Sequence, residues 1–256
     1  MGASSIPAAM LKPCPRPWGL WTTLGWSLLG LLLELIVTLV LILIAGVLAG
    51  LTGSAAMSSA EFLMDLTMSG LFLSVSSVVM LPVGFAYLIL ITYLRGWRPV
   101  EYLALKRSTA RQTVFWLAVT VAYMVTSDTV TILLGRDIVP PFMVDVCKTA
   151  VFLPLLVLAV VLVAPLFEEV VFRGFMYRGI AASRLGPAGA ILIATILWSL
   201  LHVQYDSYGM AHVLVGGVLL GLARYSTGSV VPPILMHMLN NAGGTAQALV
   251  ELADSI

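Results

Sequence analysis

Two adjacent glutamates, Glu168 and Glu169, lie in an apolar stretch of the chain, and Arg173 follows four residues after the second one. A charged side chain inside a membrane span costs about 2.5 kcal/mol or more, so such residues usually face a bundle interior and carry out chemistry or transport. Helix neighbours point about 100° apart, whereas residues four apart share a face. We therefore predict that Glu169 pairs with Arg173 and that Glu168 is free for a cavity. The alternative is one buried charge cluster that only holds helices together.

Two histidines in the later apolar segments each have a partner four residues away on the same helix face. Trp198 precedes His202 in one pair, and His237 precedes Asn241 in the other. A lone histidine in an apolar helix is usually a packing residue, but buried polar groups need one another as partners. We therefore expect Glu168, His202, His237 and Asn241 to share one site.

Hydrolysis is the first chemistry open to these four side chains. A carboxylate can activate water, donors can hold the developing oxyanion, and an acid can protonate the leaving amine. Zinc binding is the alternative, because Glu168, His202 and His237 form a zinc ligand set with an open position for water. The compact H-E-x-x-H helix is absent, and spacing alone does not choose between the two.

The composition requires membrane helices to position these residues. The chain of 256 residues is 60% hydrophobic and 10% charged, and its mean hydropathy is +1.05. Apolar runs of about 18 residues or more recur, and helices satisfy their own backbone groups in lipid. We predict an all-α fold, a polytopic transmembrane helical bundle of about seven spans with the catalytic core in the C-terminal four.

The predicted organisation is one membrane domain over residues 1–256. It comprises a cytoplasmic tail at 1–17, N-terminal spans within 19–134 and the catalytic core at 149–253. A basic loop follows the second span and contains Arg95, Arg98, Lys106, Arg107 and Arg111. The positive-inside rule places that loop in the cytoplasm, and two crossings then put the N-terminus there too.

Ionisable residues also occur in other spans. Glu34 is expected to make a polar contact in the bundle or to join the cavity, and Asp128 to cap a helix break or line a cavity. His212 is expected at the membrane interface. The net charge of +1, without a basic run interleaved with aromatics, gives no indication of nucleic-acid binding.

The fourth span is predicted to be too long for a bilayer. An unbroken helix from Ala150 to Ser183 would measure about 50 Å, against a hydrocarbon core of about 30 Å. Pro154 and Pro165 are the candidate bend points.

The two histidines are predicted to lie at different depths. His202 would lie about 22 Å along the fifth span from Pro187, and His237 about 7 to 10 Å from the start of the seventh. Tilt, a broken helix or a late entry of the fifth span would be needed to bring them level.

The motifs together resemble those of the CPBP intramembrane proteases. That family includes type II CAAX prenyl endopeptidases of eukaryotes and bacterial and archaeal relatives, some linked to bacteriocin self-immunity. The resemblance covers roughly residues 150–245 and rests on Glu168-Glu169-x-x-x-Arg173, an aromatic-x-x-x-His202 and His237-x-x-x-Asn241. The first three spans show no matching motif. Trp198 stands where the family usually has Phe, which keeps an aromatic residue before His202.

The resemblance implies a role for each matching residue. Glu168 would activate water with His202, while His237 and Asn241 would stabilise the tetrahedral oxyanion. The ion pair and the aromatic residue of the second motif would support them. Asn240 also lies on the His237 side of its helix, so the choice of Asn241 follows from motif spacing. Relatives are described both as metalloproteases and as metal-independent glutamate hydrolases. We favour the second and predict no cofactor, with zinc as the alternative.

The predicted function is an intramembrane endopeptidase that cuts near the cytoplasmic face of a prokaryotic plasma membrane. Its expected partners are membrane lipids and a peptide or lipidated protein C-terminus as substrate, without a defined oligomeric state. A noncatalytic immunity or partner protein on the same scaffold is the first alternative. A proton-coupled transporter is the second, and the lack of an internal repeat disfavours it.

Overall fold

The computed structural model describes residues 15–51 and 60–255, in which every regular element is a helix. Most of the predicted tail at 1–17 and the loop at 52–59 lie outside this range. In chain order the helices are α1 (Leu20–Leu51), α2 (Ala60–Thr67), α3 (Gly70–Leu94), α4 (Pro99–Tyr102), α5 (Ala110–Leu133), α6 (Pro141–Lys148), α7 (Leu153–Ala181), α8 (Gly186–Ser199), α9 (Ser207–Thr227) and α10 (Val231–Asp254).

The predicted all-helical membrane bundle is confirmed. Seven helices, α1, α3, α5 and α7 to α10, correspond to the predicted spans, and α1, α3, α5, α7 and α9 are long and apolar enough to cross a membrane. Helix α8 has only 14 residues, or about 21 Å of rise, which is less than a hydrocarbon core. Helix α10 has 24 residues but carries more polar side chains.

Helix α7 contains most of the predicted charged motif and departs from regular α geometry twice. Two π-helical segments, Leu158–Val163 and Val170–Met176, interrupt it, and such segments are frequent at functional sites. Pro154 lies in the first turn, where its missing N–H costs nothing. Pro154 is therefore part of the helix start and not the bend point that we predicted. Pro165 lies two residues beyond the first π segment, where α geometry resumes at Ala164.

The first π segment leaves one carbonyl without a backbone donor. Ala164 N–H bonds five residues back to Ala159 O, and Pro165 has no N–H to continue the ladder. The carbonyl that this change of register leaves unpaired is that of Val160. Asn241 Nδ2 in α10 donates to it at 2.9 Å, so a side chain supplies the hydrogen bond that the helix lacks.

The second π segment has the same arrangement. Tyr177 N–H bonds to Phe172 O, so the Arg173 carbonyl loses its usual α-helical donor. Arg224 Nε in α9 donates to that carbonyl at 2.8 Å. The two irregular turns of α7 are thus each hydrogen-bonded to a different C-terminal helix.

One end of the bundle gathers the connections 15–19, 95–109, 182–185 and 228–230, and we call it the basic end. Val230 N–H donates to Ala104 O at 3.1 Å, and Arg178 Nη1 donates to Glu101 O at 2.8 Å. Trp18 N–H donates to Tyr102 Oη at 3.3 Å. These contacts hold the connections 15–19 and 228–230, and the last turns of α7, to the connection 95–109.

The opposite end contains the connections 60–69, 134–152 and 200–206, and we call it the acidic end. Gly70 N–H donates to Thr149 Oγ1 at 2.9 Å, which joins the first two of these connections. The rings of Phe142 and Tyr205 meet edge to face at 5.0 Å, which joins the second and third. The spans therefore run between two ends of different composition.

Arg224→Met is expected to destabilise the bundle by about 1 to 3 kcal/mol, because it leaves the buried Arg173 carbonyl without a donor. Unfolding of the purified protein in mixed micelles measures this loss. Arg107→Met, which removes an exposed arginine at the basic end, is the control and should have little effect. Equal stability of both variants would contradict the role given to Arg224.

Candidate active site

The four predicted site residues lie on one cavity of about 940 Å³ inside the bundle. Glu168 comes from α7, His202 from the turn after α8, and His237 and Asn241 from α10. Asn240 lines the same cavity. The structure thus brings together polar groups that are separated by up to 73 positions in the sequence.

Glu168 is half-buried, and one of its carboxylate oxygens has a specific partner. Trp198 Nε1 donates to Glu168 Oε2 at 2.6 Å. The other oxygen, Oε1, is left to accept or remove a proton in the cavity. Because phenylalanine has no N–H group, this hydrogen bond depends on the tryptophan that departs from the usual family residue.

Trp198 also contacts three other polar residues of the site. Its backbone carbonyl accepts a hydrogen bond from His202 Nδ1 at 2.9 Å. Its ring meets His202 at 4.7 Å and His237 at 5.3 Å between centroids, both edge to face. The Arg173 guanidinium lies over the ring at 4.6 Å from its centroid. Trp198 therefore lies among the polar side chains of the site and contacts each of these three residues.

The two histidines, which were expected at different depths, line one cavity. Helix α8 ends at Ser199, so His202 lies in the following turn, where its N–H bonds to Ser199 O at 2.9 Å. His237 lies in the second turn of α10. The Trp198 ring contacts both imidazoles and so connects them within the cavity.

The predicted ion pair between Glu169 and Arg173 is confirmed, and both side chains are essentially fully buried. Arg173 Nη1 donates to Glu169 Oε1 at 2.9 Å. His237 Nδ1 lies 2.9 Å from the same oxygen, a contact that helix spacing could not predict. Arg173 Nη2 also donates to Gly217 O at 3.2 Å, which joins the pair to α9.

These contacts determine the tautomers of both histidines. A carbonyl only accepts, so His202 Nδ1 carries the hydrogen that bonds to Trp198 O, and Nε2 of the neutral ring is an acceptor. A carboxylate paired with arginine also accepts, so His237 Nδ1 carries the hydrogen that bonds to Glu169. His237 Nε2 is then the nitrogen available to a substrate.

The amide of Asn241 keeps one donor for the cavity. One Nδ2 hydrogen bonds to Val160 O, and the second remains available, because a carboxamide nitrogen carries two. Asn241 therefore joins the first π segment of α7 to the site. The sequence motif gave no indication of this contact, because the two residues lie 81 positions apart.

Tyr205 and Asp206 lie at the mouth of the cavity, beyond the end of α8. The Tyr205 ring stacks on His202 at 6.2 Å between centroids. Burial raises the pKa of Tyr205, and the negative charge of Glu168 acts in the same direction. The pKa of Asp206 is lowered, chiefly because Gly209 N–H donates to its carboxylate and secondarily because of Arg136. At neutral pH the mouth thus presents a neutral phenol and an ionised carboxylate.

A second polar group lines the cavity between α5, α9 and α10. Ser127 Oγ lies 2.8 Å from His212 Nδ1, and Gln247 Nε2 donates to Asp128 Oδ2 at 2.8 Å. His212 therefore faces the cavity from the second turn of α9. Asp128 lines the cavity within an unbroken α5. Glu34 is not among the described residues that line it.

The three side chains considered as a metal set do not form one in this structure. Within residues 15–51 and 60–255, no three His, Cys, Asp or Glu side chains are placed to hold one ion. Glu168 and His237 are instead engaged with Trp198 and Glu169.

Residues 150–243 match the family model of type II CAAX prenyl endopeptidase Rce1-like proteins. The matched range contains every residue of the three motifs and agrees with the predicted range of resemblance. This segment of the chain is thus similar to a family of proteases, and the five long apolar helices indicate an integral membrane protein. Comparison with curated proteins and with solved structures gives no match.

Trp198→Phe is expected to lower kcat/KM about tenfold, because a hydrogen bond to a charged group contributes about 1.5 kcal/mol or more. The aromatic contacts persist, so melting temperature should change little. Trp198→Ala removes both the hydrogen bond to Glu168 and the aromatic contacts, so it should lower activity and melting temperature together. Wild-type kcat/KM in Trp198→Phe would show that the bond to Glu168 has no role in turnover.

Glu169→Gln is expected to destabilise the protein by about 3 to 5 kcal/mol, because it leaves the buried Arg173 without a counter-charge. Glu169→Gln/Arg173→Gln should recover part of that stability. It should not recover activity, because the amide no longer fixes the His237 tautomer through a charged acceptor. Melting temperature and turnover, measured on the same preparations, separate the two effects. Full activity in the double variant would show that the contact between Glu169 and His237 is not needed for turnover.

Proposed function

We propose that the protein is an intramembrane endopeptidase in which Glu168 activates the hydrolytic water. The observation that supports this most is the free oxygen of Glu168 in a cavity shared with His202, His237 and Asn241. These residues lie within the segment that matches a protease family. The proposed substrate is a peptide or lipidated protein segment, with membrane lipids as the surrounding partners.

The reaction begins at Glu168 Oε1, which removes a proton from water as the oxygen attacks the peptide carbonyl carbon. His202 Nε2 orients that water by accepting a hydrogen bond from its other hydrogen. The carbonyl π electrons move to oxygen and give a tetrahedral oxyanion. The second Nδ2 hydrogen of Asn241 stabilises the oxyanion. His237 joins it as an imidazolium, which carries a hydrogen on Nε2 besides the one on Nδ1 that bonds to Glu169.

The intermediate collapses when its C–N bond breaks. The proton held by Glu168 passes to the leaving amine, and the carbonyl re-forms on the new carboxyl product. Glu169 holds His237 in the orientation that this step needs, in the manner of the carboxylate that orients a catalytic histidine. The proton that Glu168 takes from water is thus transferred to the leaving amine.

We further propose a prokaryotic plasma membrane as the location, with the N-terminus on the cytoplasmic side. Arg16 lies beside the basic loop, where its carbonyl accepts a hydrogen bond from Arg95 Nε at 3.0 Å. The first described residues therefore lie at the basic end, which the positive-inside rule assigns to the cytoplasm.

Glu168→Gln is expected to lower turnover by about 10² to 10⁴-fold while leaving the fold intact, because it removes the general base and keeps the side-chain shape. The assay is cleavage of farnesylated and unlipidated peptides by purified protein in detergent. Glu251→Gln, an exposed glutamate near the end of α10, is the matched control. If biological activity survives Glu168→Gln, the protein acts as a noncatalytic partner.

Activity is expected to persist after exhaustive chelation, because the site residues form no three-ligand group. Elemental analysis of the same sample measures any retained metal. A stoichiometric zinc whose removal abolishes turnover, and whose return restores it, would assign Glu168 to a metal-assisted mechanism instead.

A further inference from the structure

We infer that the catalytic cavity opens on the non-cytoplasmic face of the membrane and accepts a polypeptide segment presented from that side. The position of the opening is inferred from the cavity lining and the distribution of charge. The further statement, that the enzyme cuts the segment in this cavity, rests on the proposed function.

The cavity reaches the acidic end of the bundle. Its lining includes Arg136, Pro140, Gln204 and Asp206, all from the connections 134–152 and 200–206. Gln204 and Asp206 are exposed at the surface. By contrast, none of the described residues of the basic end lines the cavity. Water and substrate therefore have a route from the acidic end.

Glu168 lies near the middle of α7, the helix that runs between the two ends. It is the sixteenth residue of the 29 in α7, so it lies about 22 Å along that helix from Leu153 at the acidic end. His202 and Tyr205 follow the end of α8 in the connection 200–206 and line the same cavity. The lining of the cavity thus extends from the connections of the acidic end to Glu168.

The two ends differ sharply in charge. The described connections of the basic end contain the basic residues Arg16, Arg95, Arg98, Lys106, Arg107 and Arg184, beside one acidic residue, Glu101. Those of the acidic end contain the basic residues Arg136 and Lys148, beside the acidic residues Glu61, Asp65, Asp137, Asp145 and Asp206. Short loops rich in Lys and Arg remain in the cytoplasm, so the basic end is cytoplasmic and the acidic end is not.

This assignment changes the expected substrate. The sequence analysis placed the cut near the cytoplasmic face, but a cytosolic C-terminus would approach at the basic end, away from the opening. The segment that fits is instead part of a membrane-anchored or lipid-anchored polypeptide that extends on the non-cytoplasmic side. Within the cavity it would meet an apolar wall at Leu156 and Val160 and a polar wall at Ser127 and His212.

Cysteine labelling of the full chain in intact bacterial cells tests the opening directly. In a Cys14→Ser/Cys147→Ser background, single cysteines replace Asp137 at the acidic end, Arg107 at the basic end and Asn240 inside the cavity. A membrane-impermeant maleimide should label Asp137→Cys and Asn240→Cys from outside, and Arg107→Cys only after permeabilisation. Labelling of Arg107→Cys alone in intact cells would overturn the assignment, as would an Asn240→Cys that reacts only after permeabilisation.

Cleavage on each side of a membrane then separates this inference from the proposed function. In detergent both ends are accessible, so failure to cut any peptide of the panel there would count against the protease alone. For an active protein in oriented proteoliposomes, peptide supplied at the acidic end should be cut at least tenfold faster than peptide supplied at the basic end. The reverse preference would overturn the opening while leaving the protease intact.

Discussion

The site depends on one buried carboxylate, that of Glu169. Its Oε1 accepts from both Arg173 and His237 at 2.9 Å, and the carboxylate and the guanidinium are essentially fully buried. A buried ion pair contributes little net stability, but the loss of one partner leaves an uncompensated charge. The arrangement therefore fixes the relative positions of α7 and α10. The neighbouring Glu168 is left free of this pair and lies on the cavity.

The irregular geometry of α7 extends the same constraint. Each π segment takes the α-helical donor from one carbonyl inside the bundle, and a polar side chain from another helix donates to that carbonyl. Asn241 does so for Val160, and Arg224 does so for the carbonyl of Arg173. The helix that contains both glutamates is thus held in register by the two helices that complete the cavity. A regular α-helix would have offered no such acceptors.

Much of this could be predicted from the sequence, because the informative patterns are local. Apolar length gave the helices, and the spacing of four residues gave the pair of Glu169 with Arg173. The cost of burying unpaired polar groups suggested that the two histidines and Glu168 would meet. The contacts of His237 with Glu169 and of His212 with Ser127 could not be predicted. Each joins helices that are distant in sequence, and no spacing rule connects them.

The central claim is that Glu168 and the donors of His237 and Asn241 act on one tetrahedral centre. An experimental structure of the full chain with a peptide phosphinate, which mimics that centre, tests it most directly. One phosphinate oxygen should lie within hydrogen-bond distance of Asn241 Nδ2 and His237 Nε2, and the other beside Glu168 Oε1. A phosphinate bound away from Glu168, or held by a metal ion between the histidines, would contradict the account.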